Sequence, residues 1–192
     1  MRTSIAFLVL VIVPATLSCA QQDETQRPSP PASASCKFAD GKVINTTYSS
    51  PRTKGRKIFG ELVPYGQVWR TGANEATAFV TDTDLKVGSK EIPAGSYTLF
   101  TLPGADKWTL IISKKTGEPG TPYPAGEDLL RVEMKISQTP SLMENFTIAY
   151  HQKDVTCSLS LSWEHTQATV DMMEKKLCWP TTSPLTYSCP DP

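Results

Sequence analysis

The sequence predicts an all-β fold, an antiparallel β-sandwich of jelly-roll-like or immunoglobulin-like kind with few short helices. Three observations carry that prediction. Short runs rich in Val, Ile, Thr and aromatic residues recur between residues 42 and 164, the composition of a pleated, half-buried surface. Turn material containing Gly, Pro and Asp separates them. No long amphipathic helical pattern lies between them, which argues against βαβ units.

Taken in order, residues 42–48 form a β-rich run closed by Ser49, Ser50 and Pro51. Runs at 77–82, 85–87, 96–102 and 108–113 follow in quick succession. Within 96–102, Tyr97, Leu99 and Thr101 alternate with Thr98, Phe100 and Leu102, so both faces are largely apolar and the strand is predicted to be central. Trp108, Leu110 and Ile112 share one face of the next run. Beyond a Gly/Pro-rich loop at 117–126, runs are predicted at 129–136, 145–150 and 155–164. The last has the cleanest period of two, with Cys157, Leu159, Leu161 and Trp163 opposite Ser158, Ser160 and Ser162. Val170, Met173 and Leu177 stand at helical spacing and predict a short helix over 169–177.

Composition and targeting patterns divide the 192 residues into four parts. Residues 1–20 read as an export signal, with Arg2 ahead of the apolar run 5–13, which is too short to span a bilayer as a mature helix. Two processing routes stay open. Cleavage after Ala20 leaves Ser18 and Ala20 at the small-residue positions, whereas Leu17-Ser18-Cys19-Ala20 resembles a lipobox in which Cys19 is lipidated and anchors the chain to a membrane. The expected location is the periplasm, or the outer membrane as a lipoprotein. Residues 21–35 lack Leu, Ile, Val and aromatic side chains and read as a disordered leader or tether. Residues 36–168 form the sandwich domain, and 169–192 a short helix followed by a Cys- and Pro-containing tail.

In an oxidising compartment Cys36, Cys157, Cys178 and Cys189 can pair in three ways. The favoured pairing is Cys36 with Cys157, both in predicted strands, and Cys178 with Cys189, which flank the tail. The cysteine and histidine spacings match no zinc site, and no cofactor is implied. The 19 basic and 19 acidic residues cancel with no basic stripe, so nucleic-acid binding is not expected.

The densest polar cluster surrounds Trp69, Arg70, Asn74 and Glu75. A guanidinium at Arg70 can clamp a carboxylate, sulfate or phosphate, with Asn74 and Glu75 bonding hydroxyls or amides and Trp69 stacking on the ligand. Arg52 and Lys57, with Lys54 and Arg56 between them, would form an anion-binding rim. The bland reading of the same residues is an Arg70–Glu75 ion pair pinning a loop, with Asn74 in a left-handed turn conformation and the basic run solvated. His151 and His165, with Glu164, form a weaker acid-base or metal candidate. No Gly-x-Ser-x-Gly elbow is present.

The strings Gly55-Arg-Lys-Ile-Phe-Gly60, Val68-Trp-Arg-Thr-Gly-Ala-Asn-Glu-Ala-Thr77 and Pro93-Ala-Gly-Ser-Tyr97 resemble a family of exported bacterial proteins of unknown function, DUF2911. The resemblance covers roughly residues 36–165. It implies an exported or lipid-anchored all-β domain and carries no assigned catalytic residue, substrate or cofactor. The function expected is non-catalytic binding of a small polar or saccharide-like ligand, or of an envelope protein. The alternatives are a cell-envelope hydrolase using a carboxylate beside Arg70, and a structural or assembly role.

Overall fold

The computed structural model describes residues 27–175, 179–180 and 187–188. Nine strands form one antiparallel sheet: β1 (Pro31–Lys37), β2 (Val43–Ser49), β3 (Ala73–Thr81), β4 (Leu85–Val87), β5 (Lys90–Ile92), β6 (Gly95–Leu102), β7 (Trp108–Ser113), β8 (Asp128–Lys153) and β9 (Thr156–Glu174). Their order across the sheet is β1-β2-β3-β6-β7-β8-β9-β4-β5. A separate pair, β10 (Trp179–Pro180) and β11 (Tyr187–Ser188), lies beyond it. The expected Cys178–Cys189 bridge and the Cys19 anchor fall outside the described residues.

The sheet is continuous because β8 and β9 are long and bend. β8 pairs with β7 through its first part, Trp108 opposite Met134 and Leu110 opposite Val132, and with β9 along the rest. Register shifts between Gln138 and Met143 and between Met143 and Thr147 break the β8–β9 ladder. Glu164, opposite Met143, has φ of 56°, so the ribbon turns there. Its bend lays the two ends of β9 side by side, with Glu174 N–H donating to Val155 O at 3.0 Å and Ser158 Oγ to Asp171 Oδ1 at 2.5 Å.

A disulfide shows how far the sheet curls. Cys36 in β1 is bonded to Cys157 in β9 with their Cα atoms 6.2 Å apart. Those strands stand six steps apart in the sheet order, which in a flat sheet is about 29 Å at about 4.8 Å per step. The bridge is the Cys36–Cys157 pairing expected above, and such a bond belongs to an oxidising, extracytoplasmic setting.

Inside the curl, Ile44, Phe79, Leu99, Leu110 and Ile112 meet Ile148, Leu159, Leu161 and Met172 in one apolar core. Phe100 and Ile111 are fully buried on the opposite face, where the loop after β7 brings the Tyr123 ring edge-on to Phe100 at 5.0 Å. That loop explains why the strand at 96–102 is apolar on both sides.

The structure corrects the short helix expected at 169–177. Residues up to Glu174 continue β9, with Ala168, Val170 and Met172 buried and Asp171 exposed, and no helix occurs among the described residues. A run this short fits both periods, and pairing with β8 and β4 decides for the strand. Residues 176–177 lie outside the described part. β1 opens at Pro31, inside the stretch read as a leader. Its small Ala32 and Ala34 face the core side, so main-chain pairing with β2 rather than bulky burial holds it.

The end of β9 buries a carboxylate. The Glu174 side chain is 5% exposed, with Oε1 3.7 Å from Lys42 Nζ and without a hydrogen bond. Lys42 Nζ sits 3.2 Å from Asp40 Oδ2 and donates to Thr83 Oγ1. Burial first, then the Asp40 charge, raises the Glu174 pKa above its ordinary value. A raised folded-state pKa stabilises the fold below the unfolded value and loses that contribution as pH rises through the folded one. Glu174→Gln is therefore expected to gain in Tm relative to the parent between pH 4 and neutral pH, about 4 being the unfolded carboxyl value. Equal Tm differences at both ends would refute this account of Glu174.

Candidate functional site

The segment between β2 and β3 builds the site, and its sequence explains its shape. The chain from 50 to 63 lies against the β8 bend, with Thr53 N–H donating to Glu144 O at 2.9 Å and Phe146 N–H to Pro51 O at 2.9 Å. It then crosses to β6, where Trp69 N–H donates to Thr101 O at 2.7 Å and Thr101 N–H returns to Trp69 O at 2.9 Å. Phe59 anchors this path, its ring lying 4.7 Å from Trp108, 6.2 Å from Trp163 and 6.3 Å from Trp69. Trp69 stacks on Trp163 at 5.8 Å and 18°, and Trp69 Nε1 donates to Gly72 O.

The conspicuous Trp-Arg-Thr-Gly-Ala-Asn string is first a turn. Thr71 and Asn74 take left-handed φ values of 56° and 55°, and buried Thr77 donates its hydroxyl to Thr71 O at 2.7 Å. A Cβ at Gly72 would stand 3.0 Å from Ser49 O, so the close approach of this turn to β2 favours glycine there.

The turn presents Arg70 to a concavity of about 360 Å³. Arg56 and Arg70 line it together with Leu62, Val63, Val68 and Trp69, and no carboxylate is among its described walls. Arg70 is half-buried and donates from Nη1 to Thr121 Oγ1 at 2.7 Å. Among the described residues it pairs with no acid. Arg56 donates from Nε to Thr53 O and from Nη2 to Arg52 O. Glu144 lies outside the concavity's walls and is bonded to the Thr53 hydroxyl and to Lys54 N–H. These bonds, with smaller help from Arg52 and Arg56, hold its pKa below the ordinary range.

The other expected site residues separate. Glu75 pairs with Arg27 at 2.8 Å and accepts from Ser49 Oγ, so the anticipated Arg70–Glu75 ion pair does not form. Its own backbone N–H, then Arg27, keep its pKa low. Asn74 lies in β3 and donates to Ser29 O. Arg52 turns inward to Ser50 O and Oγ, and Lys57 pairs with Glu61 at 3.4 Å, so neither reaches the concavity. His151 stands opposite Ser158, seven residues along β9 from His165, so the register keeps the histidines apart. No group of three metal-ligating side chains occurs among the described residues.

Of the basic run expected as a rim, Arg56 alone lines the concavity, whereas Leu62, Val68 and Thr121 were not singled out as site residues from the sequence. Thr121 is close because Gly120, at φ 78°, packs where a Cβ would be 2.9 Å from Arg70 Cβ and 3.0 Å from Ala76 Cβ. Gly120→Ala is expected to displace the 117–122 loop and cost about 1–3 kcal/mol, the usual scale of a strained left-handed residue. Chemical denaturation measures this, and an unchanged midpoint would show that the loop yields freely.

The fold and this concavity define an all-β domain with a surface pocket carrying two arginines. The chain belongs to the DUF2911 family, described as a protein of unknown function, whose model matches residues 29–172. No curated protein and no solved structure matches the chain.

Proposed function

We propose that the domain is a non-catalytic binding module that takes a small anionic ligand in the concavity between Arg56 and Arg70. The observation that carries the reading is the pair of guanidiniums on its wall without a carboxylate among the described walls. A half-buried cation with only a hydroxyl partner has unspent donors and an unneutralised field, which an anion can use. The walls rest on a rigid β scaffold, so the site is largely pre-formed. We take the curled sheet to serve as a sandwich, with this loop region at one end.

The hydrolase alternative needs a carboxylic acid beside Arg70. Glu75 is instead bonded to Arg27 and held ionised, which suits a structural anchor better than a general acid.

Thermal unfolding in a panel of sodium salts tests the proposal. Phosphate, sulfate, benzoate or glucuronate that binds the folded state raises Tm, and the rise grows with the logarithm of ligand concentration above its Kd. At least one is expected to stabilise the parent protein and not Arg70→Ala at equal ionic strength. Equal responses of the two proteins to all four salts would refute the site.

A further inference from the structure

The geometry points to one ligand class for this concavity, a monocarboxylate carried on an aromatic or branched apolar body. The inference rests on the proposed anion site and narrows it by counting donors and walls.

The donors are few. Arg56 already spends Nε and Nη2 on the carbonyls of Thr53 and Arg52, leaving Nη1 unbonded. Arg70 spends Nη1 on Thr121 and keeps Nε and Nη2. Two partly used forks match the two oxygens of one carboxylate. A phosphate can use the same forks, and the walls decide against it, together with the lack of its usual further cradle, a helix N-terminus or a run of backbone N–H groups. No helix occurs among the described residues.

The walls join polar and apolar surface, with the apolar part somewhat the larger. Pro51, Leu62, Val63, Val68 and Trp69 contribute to them, and Leu62 is 46% exposed. The polar atoms of Trp69 and Trp163 are already used, Nε1 of each donating to a backbone carbonyl. The partly exposed Trp69 ring therefore offers hydrocarbon and π surface rather than hydrogen bonds, with buried Trp163 behind it. A ligand covering Leu62 and Val68 while its carboxylate meets Arg56 and Arg70 uses both halves of the site. A bare small anion leaves the apolar half wet.

Calorimetric titration of the oxidised full chain tests this with four probes: benzoate, its neutral isostere benzamide, acetate and inorganic phosphate. Benzoate is expected to bind one to one and at least about tenfold tighter than each of the others, a difference of about 1.4 kcal/mol. Arg70→Gln and Arg56→Gln are each expected to weaken benzoate by about tenfold, the scale of one charge-assisted contact. Arg56 is exposed, so its variant keeps the fold even where the Arg70 variant does not. Phosphate binding as tightly as benzoate overturns the carboxylate class and leaves the anion site standing. Benzamide or acetate matching benzoate overturns the two-part ligand. Benzoate binding that both variants leave unchanged overturns the location, and no binding by any probe overturns this inference, with the anion site falling too if sulfate and glucuronate also fail to stabilise the fold.

Discussion

Removal of the Cys36–Cys157 bridge is expected to cost about 2–5 kcal/mol of stability, the range seen when native disulfides are lost. The bond closes a sequence separation of 121 residues. In the chain-entropy account, restricting so long a loop in the unfolded chain is worth about 5 kcal/mol. Both sulfurs are buried, Cys36 at 4% exposure and Cys157 at 0%, so the Cys36→Ala/Cys157→Ala variant loses packing as well. Urea unfolding of the oxidised parent and the double variant measures the difference. The two should also differ in the slope of free energy against urea, because the uncrosslinked chain exposes more surface on unfolding. A loss below about 1 kcal/mol with equal slopes would mean that the curl of the sheet is held without the bridge and that the unfolded chain is already compact.

Phe59→Ala is expected to destabilise by about 3–5 kcal/mol, as large-to-small substitution of a buried aromatic does. Phe59 is 5% exposed and meets three tryptophan rings edge-on. Truncation leaves a cavity among rigid indoles that cannot collapse into it. The effect should also reach the site, because Trp69 rests on Phe59, Phe146 and Trp163 and is the wall next to Arg70. Phe59→Leu refills part of the volume and should recover about half of the loss. Denaturant midpoints of the two variants test this. A loss below about 1 kcal/mol for the alanine variant would show that the 50–70 segment, rather than the core, absorbs the change.

The strands were largely legible because period two and turn residues act locally. Trp108–Ser113 and Leu85–Val87 occur where the pattern puts them. The misses have one physical source, pairing partners that local sequence does not name. Lys90–Ile92 reads as turn material and is a strand because it lies beside β4. Residues 169–174 carry a helical spacing and are a strand because β8 and β4 pair with them. The site was legible as a segment and not as a set. Arg70 and Trp69 line the concavity, while Asn74 and Glu75, nearest them in sequence, turn toward Ser29, Arg27 and Ser49. The left-handed residues Thr71 and Asn74 redirect the chain between them, and such a reversal separates side chains that composition alone groups together.

The bend that lays one end of β9 beside the other also has a kinetic meaning. Half of the curled sheet, β8 and β9, is a single ribbon closed by the short turn at 153–156, so most of its contacts join residues near one another along the chain. Loop-closure entropy for such pairing is small, whereas β1 reaches β9 only across more than a hundred residues. The expected order of assembly runs backwards along the chain, with the C-terminal ribbon forming first and the N-terminal strand last. Pulse-labelled amides should gain protection at Ala149 and Ser160, which face each other across the ribbon, before Ile44, and simultaneous protection would show that the two halves form together.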